Sequence, residues 1–431
     1  GDIAAAKVKR VQNEAEGYRV EEGAVTFGAA SVPAALDTPG VSVSGTIPTL
    51  DLDQWRKIII QGGQTGRTAE AFPDISLLDL RLGNLTIFGR QFTDIELGAK
   101  KIDGIWHSTV ASSEIRGDIS WNPSGNGRIV ARLDKLIVPA DHSTSSLSLS
   151  KPDSAAQARH QQKAPPALDV MVDDLILGNM RLGQLELKGA QHEQNWRIEK
   201  LLLSSPDSAI AAKGIWHSRG PTPRVQATIT LVSSDIGKLL TRLGHPGRVK
   251  RGSGKLEGKV SWDGNPLPVN YPSMSGAFKL RAERGQFPRL EPGIGRLFGF
   301  FDLRALPRRV MLDFHDVFSE GFGFDDISGD IKIAHGVAST DDLEIEGPAA
   351  NIILNGEINL EAETQKLNFR VIPSLGLATP VVGITSMIVN KALQSAPTPN
   401  EYNITGTWTN PIIIKTSRQT QERETDEPEQ R

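Results

Sequence analysis

The amino-acid sequence predicts a mainly-β chain: an elongated, repetitive, antiparallel-rich sheet curled into an open half-pipe, with a few short helices, two of them apolar and near the C-terminal end. Three observations carry this expectation. Apolar and polar residues alternate over many short stretches, as in Leu78, Leu80 and Leu82 against Asp79 and Arg81, which is the period of a strand with one dry and one wet face. The stretches recur in units of roughly 45–50 residues, about five short strands each. Finally, 42 glycines and 26 prolines in 431 residues give frequent chain reversals, which suit short strands better than long helices.

Taken in order, residues 1–138 read as groove repeats with a helix near 51–61. Asp51 is placed to cap that helix, with Gln54 at the third helical position and Leu50 against Trp55 as a staple. Residues 139–167, rich in Ser, Ala, Gln and Pro without apolar period, read as a disordered polar loop. Residues 168–288 resume the repeats and carry a second helix near 234–243, opening at Ser234-Asp235 and closing on Gly244 and Pro246. Residues 289–306 form an amphipathic helical segment and 307–372 another repeat. An apolar helix follows at 373–395, then a closing strand at 400–415 and a solvated tail at 416–431. Several closing strands share a Gly-x-apolar-x-Trp pattern (Trp121, Trp262) or a Gly-x-Trp pattern (Trp216, Trp408). These tryptophans are read as packing at a sheet margin, with a sugar-stacking platform as the alternative.

Composition excludes several classes of function. The formal charge of −3 gives no basic excess for nucleic acid. With no cysteine, disulfides, thiolate metal sites and cysteine nucleophiles are excluded. No histidine pair has zinc spacing, and no serine elbow or phosphate loop occurs. The adjacent acids Asp173-Asp174, Asp325-Asp326 and Asp341-Asp342 read as solvated turns between strands, not as facing carboxylates. No cofactor, metal or catalytic residue is expected. The opening Gly1-Asp2-Ile3-Ala4-Ala5 shows no signal-peptide pattern, and the chain reads as starting inside a longer parent.

By strand parity, the candidate residues for an apolar lining are Leu78, Leu80, Leu82, Ile95, Leu97, Leu185, Leu187, Ile352, Leu354 and Ile358. The segment 289–306, with Arg308-Arg309 after it, packs Ile294, Leu297, Phe298, Phe300 and Phe301 among five arginines. Such a segment suits an anionic lipid surface, an apolar trough, or a helix covering a sheet end. The segment 374–394 carries one charge, Lys391, with Val381, Val382, Ile384 and Ile388 as its apolar members. Its length fits a bilayer span, but Pro380, Gly383 and Asn390 favour docking against protein or touching a membrane.

The string PGIGRLFGFFDLRALPRRVMLDFHDVFSEGFGFDDISGD at 292–330 resembles the C-terminal region of YhdP-type AsmA-like proteins. So do EGPAA at 346–350, PVVG at 380–383 and the closing Tyr402-x-Ile-Thr-Gly-Thr-Trp408-x-Asn-Pro411. From about 20 to 265 only the style of repeated strands and the LDLDQW element at 50–55 is similar; the polar stretch at 139–167 departs from the family as an insertion. The resemblance implies a Gram-negative envelope protein, similar in architecture to TamB and to bridge-like lipid transporters. It implies a parent anchored in the inner membrane, a β half-pipe across the periplasm, and phospholipid as cargo. An outer-membrane contact, with the bilayer or a protein there, is implied at the C-terminal end, where the two apolar segments shape or gate the exit. The chain is expected to act as a monomer.

The residues support a lipid path on their own terms. A sheet with one apolar face must bury it or offer it to something apolar. At about 0.8 kcal/mol per methylene, a tail of about 16 carbons gains on the order of 10 kcal/mol on a dry lining. Two rivals stand beside this reading. One is an envelope scaffold or chaperone-like protein whose sheet edges pair with partner strands, in which charges at Leu80 or Leu354 leave function intact. The other is a carbohydrate-active enzyme, which requires acids clustered on one sheet.

Overall fold

The computed structural model describes residues 4–13, 17–28, 40–54, 74–87, 89–139, 165–218, 222–288, 321–374 and 399–416. The apolar segments at 289–306 and 374–394, apart from Ser374, lie outside the described residues, with every candidate on them: Ile294, Leu297, Phe298, Phe300, Phe301, Val381, Val382, Ile384 and Ile388. Most of the 139–167 stretch, the tail and residues 55–61 also lie outside.

The chain divides into two compact units, Gly1–Ser205 and Pro206–Arg431. The first holds β1 (Ala4–Asn13), β2 (Gly17–Phe27), β3 (Gly40–Asp51), β4 (Ile75–Ile87), β5 (Arg90–Ile102), β6 (Ile105–Ala111), β7 (Ile115–Asn122), β8 (Arg128–Val138), β9 (Ala167–Leu177), β10 (Met180–His192) and β11 (Asn195–Ser205). Each strand pairs with the next along the chain. Pairing is antiparallel except at β2–β3, β3–β4 and β8–β9, which are parallel.

The second unit holds β12 (Ser208–His217), β13 (Arg224–Ser233), β14 (Lys250–Asp263), β15 (Ser275–Phe287), β16 (Phe322–Ala334), β17 (Val337–Glu346), β18 (Ala350–Asn359), β19 (Thr364–Pro373), β20 (Asn400–Thr407) and β21 (Pro411–Thr416). It is antiparallel throughout, again neighbour to neighbour. The protein is thus mainly β, and among the described residues no pairing joins the first and last strands of either unit.

The parallel joins explain where the long connections fall. Parallel neighbours must be linked by chain that travels back the length of a strand. The three joins coincide with the connections 28–39, 52–74 and 139–166. Strand β8 has 11 residues, so the return path after it is about 36 Å at about 3.3 Å per residue. The polar stretch at 139–167 falls at the third of these joins.

Strands are longer and fewer than the expected five per repeat. Glycines inside apolar runs look like breaks in the sequence but lie within continuous strands. Gly83 sits inside β4, and Gly183 (φ +83°) sits at an irregularity inside β10. The paired acids also differ from expectation, for they lie mid-strand and not at turns. Asp173-Asp174 interrupt the register of β9 with β10, and Asp341-Asp342 form a bulge in β17 against β18. Asp325-Asp326 lie within β16, where Asp326 faces Glu283 of β15, the residue before the left-handed Arg284 (φ +52°). A bulge inserts an extra residue and restores the apolar parity beyond it. Asp342 fills part of the gap, its Oδ1 accepting from the Asp330 N–H (3.0 Å) and the Thr340 hydroxyl (3.3 Å).

At Asp51 the expected cap is present, with Oδ1 accepting from the Gln54 N–H at 2.9 Å. The helix in the second unit, α1 (Ile236–Arg242), is capped by Asp235 and not Ser234; the Lys238 N–H donates to Asp235 Oδ1 at 3.0 Å. The left-handed Gly244 (φ +85°) ends it, with the His245 N–H returning to the Leu240 carbonyl. Residues 400–416 form two strands around a turn, where one closing strand was expected.

Between β6 and β7, the Glu114 carboxylate accepts from the Thr93 hydroxyl (2.8 Å) and the Ser112 hydroxyl (3.1 Å). Burial pushes its pKa up, but the hydrogen bonds from Thr93, Ser113 and Ser112 outweigh this and hold it below the usual glutamate value. A depressed folded pKa means the stabilisation is complete above the unfolded value of about 4.5 and fades as pH falls through the folded one. Thermal melts between pH 7 and 3 are expected to show a shallower acid loss for Glu114→Gln than for the wild type.

Candidate functional site

Cross-strand register, not any single motif, builds the site. Directly paired residues share a face of the sheet, so partners can be followed from strand to strand. In the first unit one row runs Val43, Leu78, Ala99, Ser108, Ile119, Ala131, Val170, Leu187, Leu201. The adjacent row runs Leu80, Leu97, Val110, Gly117, Leu133, Val172, Leu185, Leu203. Leu82 faces Ile95 beside them. Apolar side chains thus continue across consecutive strands from β3 to β11. At Gly117 (φ +140°) an added Cβ would collide with the Arg132 carbonyl oxygen, so the close approach of β7 to β8 requires glycine there.

The second unit has its own rows. Leu231, Leu256, Leu280 and Gly329 follow one another across β13–β16. Ala282, Ile327, Ile345, Ile352 and Val371 form a second row, and Leu343, Leu354, Phe369 and Tyr402 a third. Leu367, Ile404 and Ile413 extend the face to β21, while Ile358 stands between Ala338 and Gln365. All ten lining candidates read from the sequence therefore fall on these rows or beside them. Parity within one strand missed the residues that connect them, including Val43, Val110, Ile119, Leu133 and Val172; only the register supplies these.

The rows are unevenly covered. Leu82, Ile95, Leu133 and Val172 are buried, while Leu78, Leu97, Ile119, Val170, Leu185, Leu187, Leu201 and Leu203 are half-buried. In the second unit Ile352, Leu367, Val371, Tyr402 and Ile404 are packed, and Leu280, Leu354, Ile358 and Phe369 half-buried. Aromatic rings close gaps by lying over glycines: Trp196 over Gly189, Phe278 over Gly258 and Phe324 over Gly285. The opposite faces carry ion pairs, Arg81–Glu96 (3.4 Å), Lys200–Glu186 (2.6 Å) and Arg132–Asp169 (2.8 Å) in the first unit and Arg370–Glu401 (3.1 Å) in the second. Exposed pairs of this kind stabilise little; their role is to keep that face wet.

The tryptophans serve the strand ends. Trp216, Val225 and Trp262 are successive partners, and the two indoles donate to the Gly264 (3.1 Å) and Asn265 (2.9 Å) carbonyls in the next turn. Trp196 does the same to Pro166 at 3.2 Å. Trp121 pairs with Trp106 and is 46% exposed. Among the described residues no group of three or more His, Asp or Glu side chains is placed to hold a metal ion, and no helix is long and apolar enough to cross a membrane.

The chain is 26% identical over 231 residues to the Intermembrane phospholipid transporter YhdP of Escherichia coli (strain K12), an alignment covering 51% of this chain and 18% of that protein. The chain thus matches under a fifth of that relative's length, and no solved structure matches it. The model of the YhdP protein family matches residues 4–413, nearly the whole sequence from the first strand to the last, and the chain is therefore a member of the YhdP family.

Proposed function

We propose that this chain is a lipid-conducting part of a periplasmic bridge in a Gram-negative envelope. In this reading it carries phospholipid acyl chains along the apolar rows of its sheet, between the inner and outer membranes. The observation that carries the reading is that the rows continue from strand to strand while many members stay only half-buried. A packed core would exclude an occupant, whereas a half-covered apolar face gains from one. Acyl chains match such a surface because they need no polar partner, and a head group stays in water because burying an unpaired charge is costly. Movement along the rows then needs no catalytic residue. The phospholipid-transporter name of the relative supports the cargo. The inner-membrane anchor belongs to the parent protein, and the outer-membrane contact to the C-terminal end.

The purified 431-residue chain is expected to carry phospholipid, visible by native mass spectrometry and by extraction. Lipid-free protein that also fails to take up a fluorescent phospholipid would refute the reading. The scaffold alternative has one observation in its favour. Strand β21 exposes Ile412 (53%) and Ile414 (58%), an apolar edge suited to pairing with another strand. That alternative predicts lipid-free protein which captures a partner strand.

A further inference from the structure

At one end of the second unit's sheet β13, β15, β17 and β19 finish and β14, β16, β18 and β20 begin. The register places α1 and its following turn there, close to an aromatic cluster. Phe322 and Phe324 are 1% and 2% exposed, and Phe287 lies 6.4 Å and 5.2 Å from their ring centres. Val249 belongs to the same cluster, and directly before it stands Arg248. The Nε and Nη1 of Arg248 are buried and hydrogen-bond to nothing among the described residues. Burial pulls its pKa down from the usual arginine value, yet a guanidinium stays charged in proteins.

Arg242, earlier in the same segment, shows the ordinary solution, a pair with Asp207 at 2.8 Å. Arg248 has none. Its neighbours add positive charge: Lys250 and Arg251 are exposed at the start of β14, where Lys250 faces Gln286 and Arg251 faces Gly285. Arg248 as a whole is half-buried, and two buried guanidinium donors without a partner are costly unless an anion completes them. A planar fork of donors on the residue that precedes a member of an apolar cluster suits a ligand with a phosphate at one end and hydrocarbon at the other.

We propose that Arg248 binds the phosphate of a phospholipid head group at this end of the second unit, while the acyl chains lie on the half-buried members of the rows next to this cluster, Leu280, Leu354 and Phe369. The assignment rests on the lipid-conducting reading and adds a fixed headgroup position to it. Free phosphate has the same chemistry, so the test separates the two.

Soluble dihexanoyl phosphatidylglycerol, phosphate-free dihexanoylglycerol and inorganic phosphate are titrated into the full chain and into Arg248→Met and Arg248→Lys variants. The wild type is expected to bind the phospholipid about tenfold more tightly than the diacylglycerol, the effect of one charge-assisted contact. Arg248→Met should erase that difference without weakening diacylglycerol binding, and should melt no lower than the wild type. Arg248→Lys should retain part of the difference. Unchanged phospholipid affinity in Arg248→Met overturns the assignment. Inorganic phosphate binding as tightly as the phospholipid overturns it in favour of a free-anion site. Failure of the wild type to bind either lipid overturns the conducting reading and this assignment with it.

Discussion

Leu187→Asp is expected to cut the phospholipid carried by the chain at least about tenfold while leaving the protein folded, because a tail covering the new carboxylate must strip its water without supplying a partner. Leu187 sits between Val170 and Leu201 on a row of the first unit and is half-buried. Its position therefore lets the aspartate stay hydrated in the empty protein and spares the fold. Two controls frame the result. Val172, on the neighbouring row, is 1% exposed, and the same change there should prevent folding. Met171, on the opposite face and 42% exposed, should accept aspartate with little effect on lipid or stability. Lipid extraction and thermal melts of the three variants check this. Wild-type lipid content in Leu187→Asp would mean the rows are not the path and would favour the scaffold.

The second large effect is on stability. Phe322→Ala is expected to destabilise the second unit by about 3–5 kcal/mol, the usual cost of emptying a buried aromatic site. Phe322 stacks on Phe287 at an interplanar angle of 22°. A side chain on Gly347 would press against its ring, so the site has little freedom to collapse. Guanidinium titration should show the loss. A change below about 1 kcal/mol would mean the ring is dispensable to packing.

Much of this was legible in the sequence because period-two alternation is a local property. Leu78, Leu80 and Leu82 declare their common face without knowledge of their partners, as do Leu185 and Leu187. What was not legible depends on distant chain. The parallel joins at β2–β3, β3–β4 and β8–β9 leave no mark on alternation. Paired acids such as Asp341-Asp342 resemble turns because both break the period, and only the opposing strand distinguishes a bulge from a reversal. Val110 and Ile119 carry no signal beyond ordinary strand residues until register sets them beside Leu97 and Ala131. Arg248 is one basic residue in a polar stretch; its meaning comes from burial without a partner, which no spacing reveals.

Pairing each strand with its immediate successor also shapes how such a molecule can evolve. A duplicated hairpin brings its own stretch of oily and wetted surface and needs only two new seams, with nothing rethreaded. Size becomes a matter of counting modules, and the chemistry of each module stays unchanged.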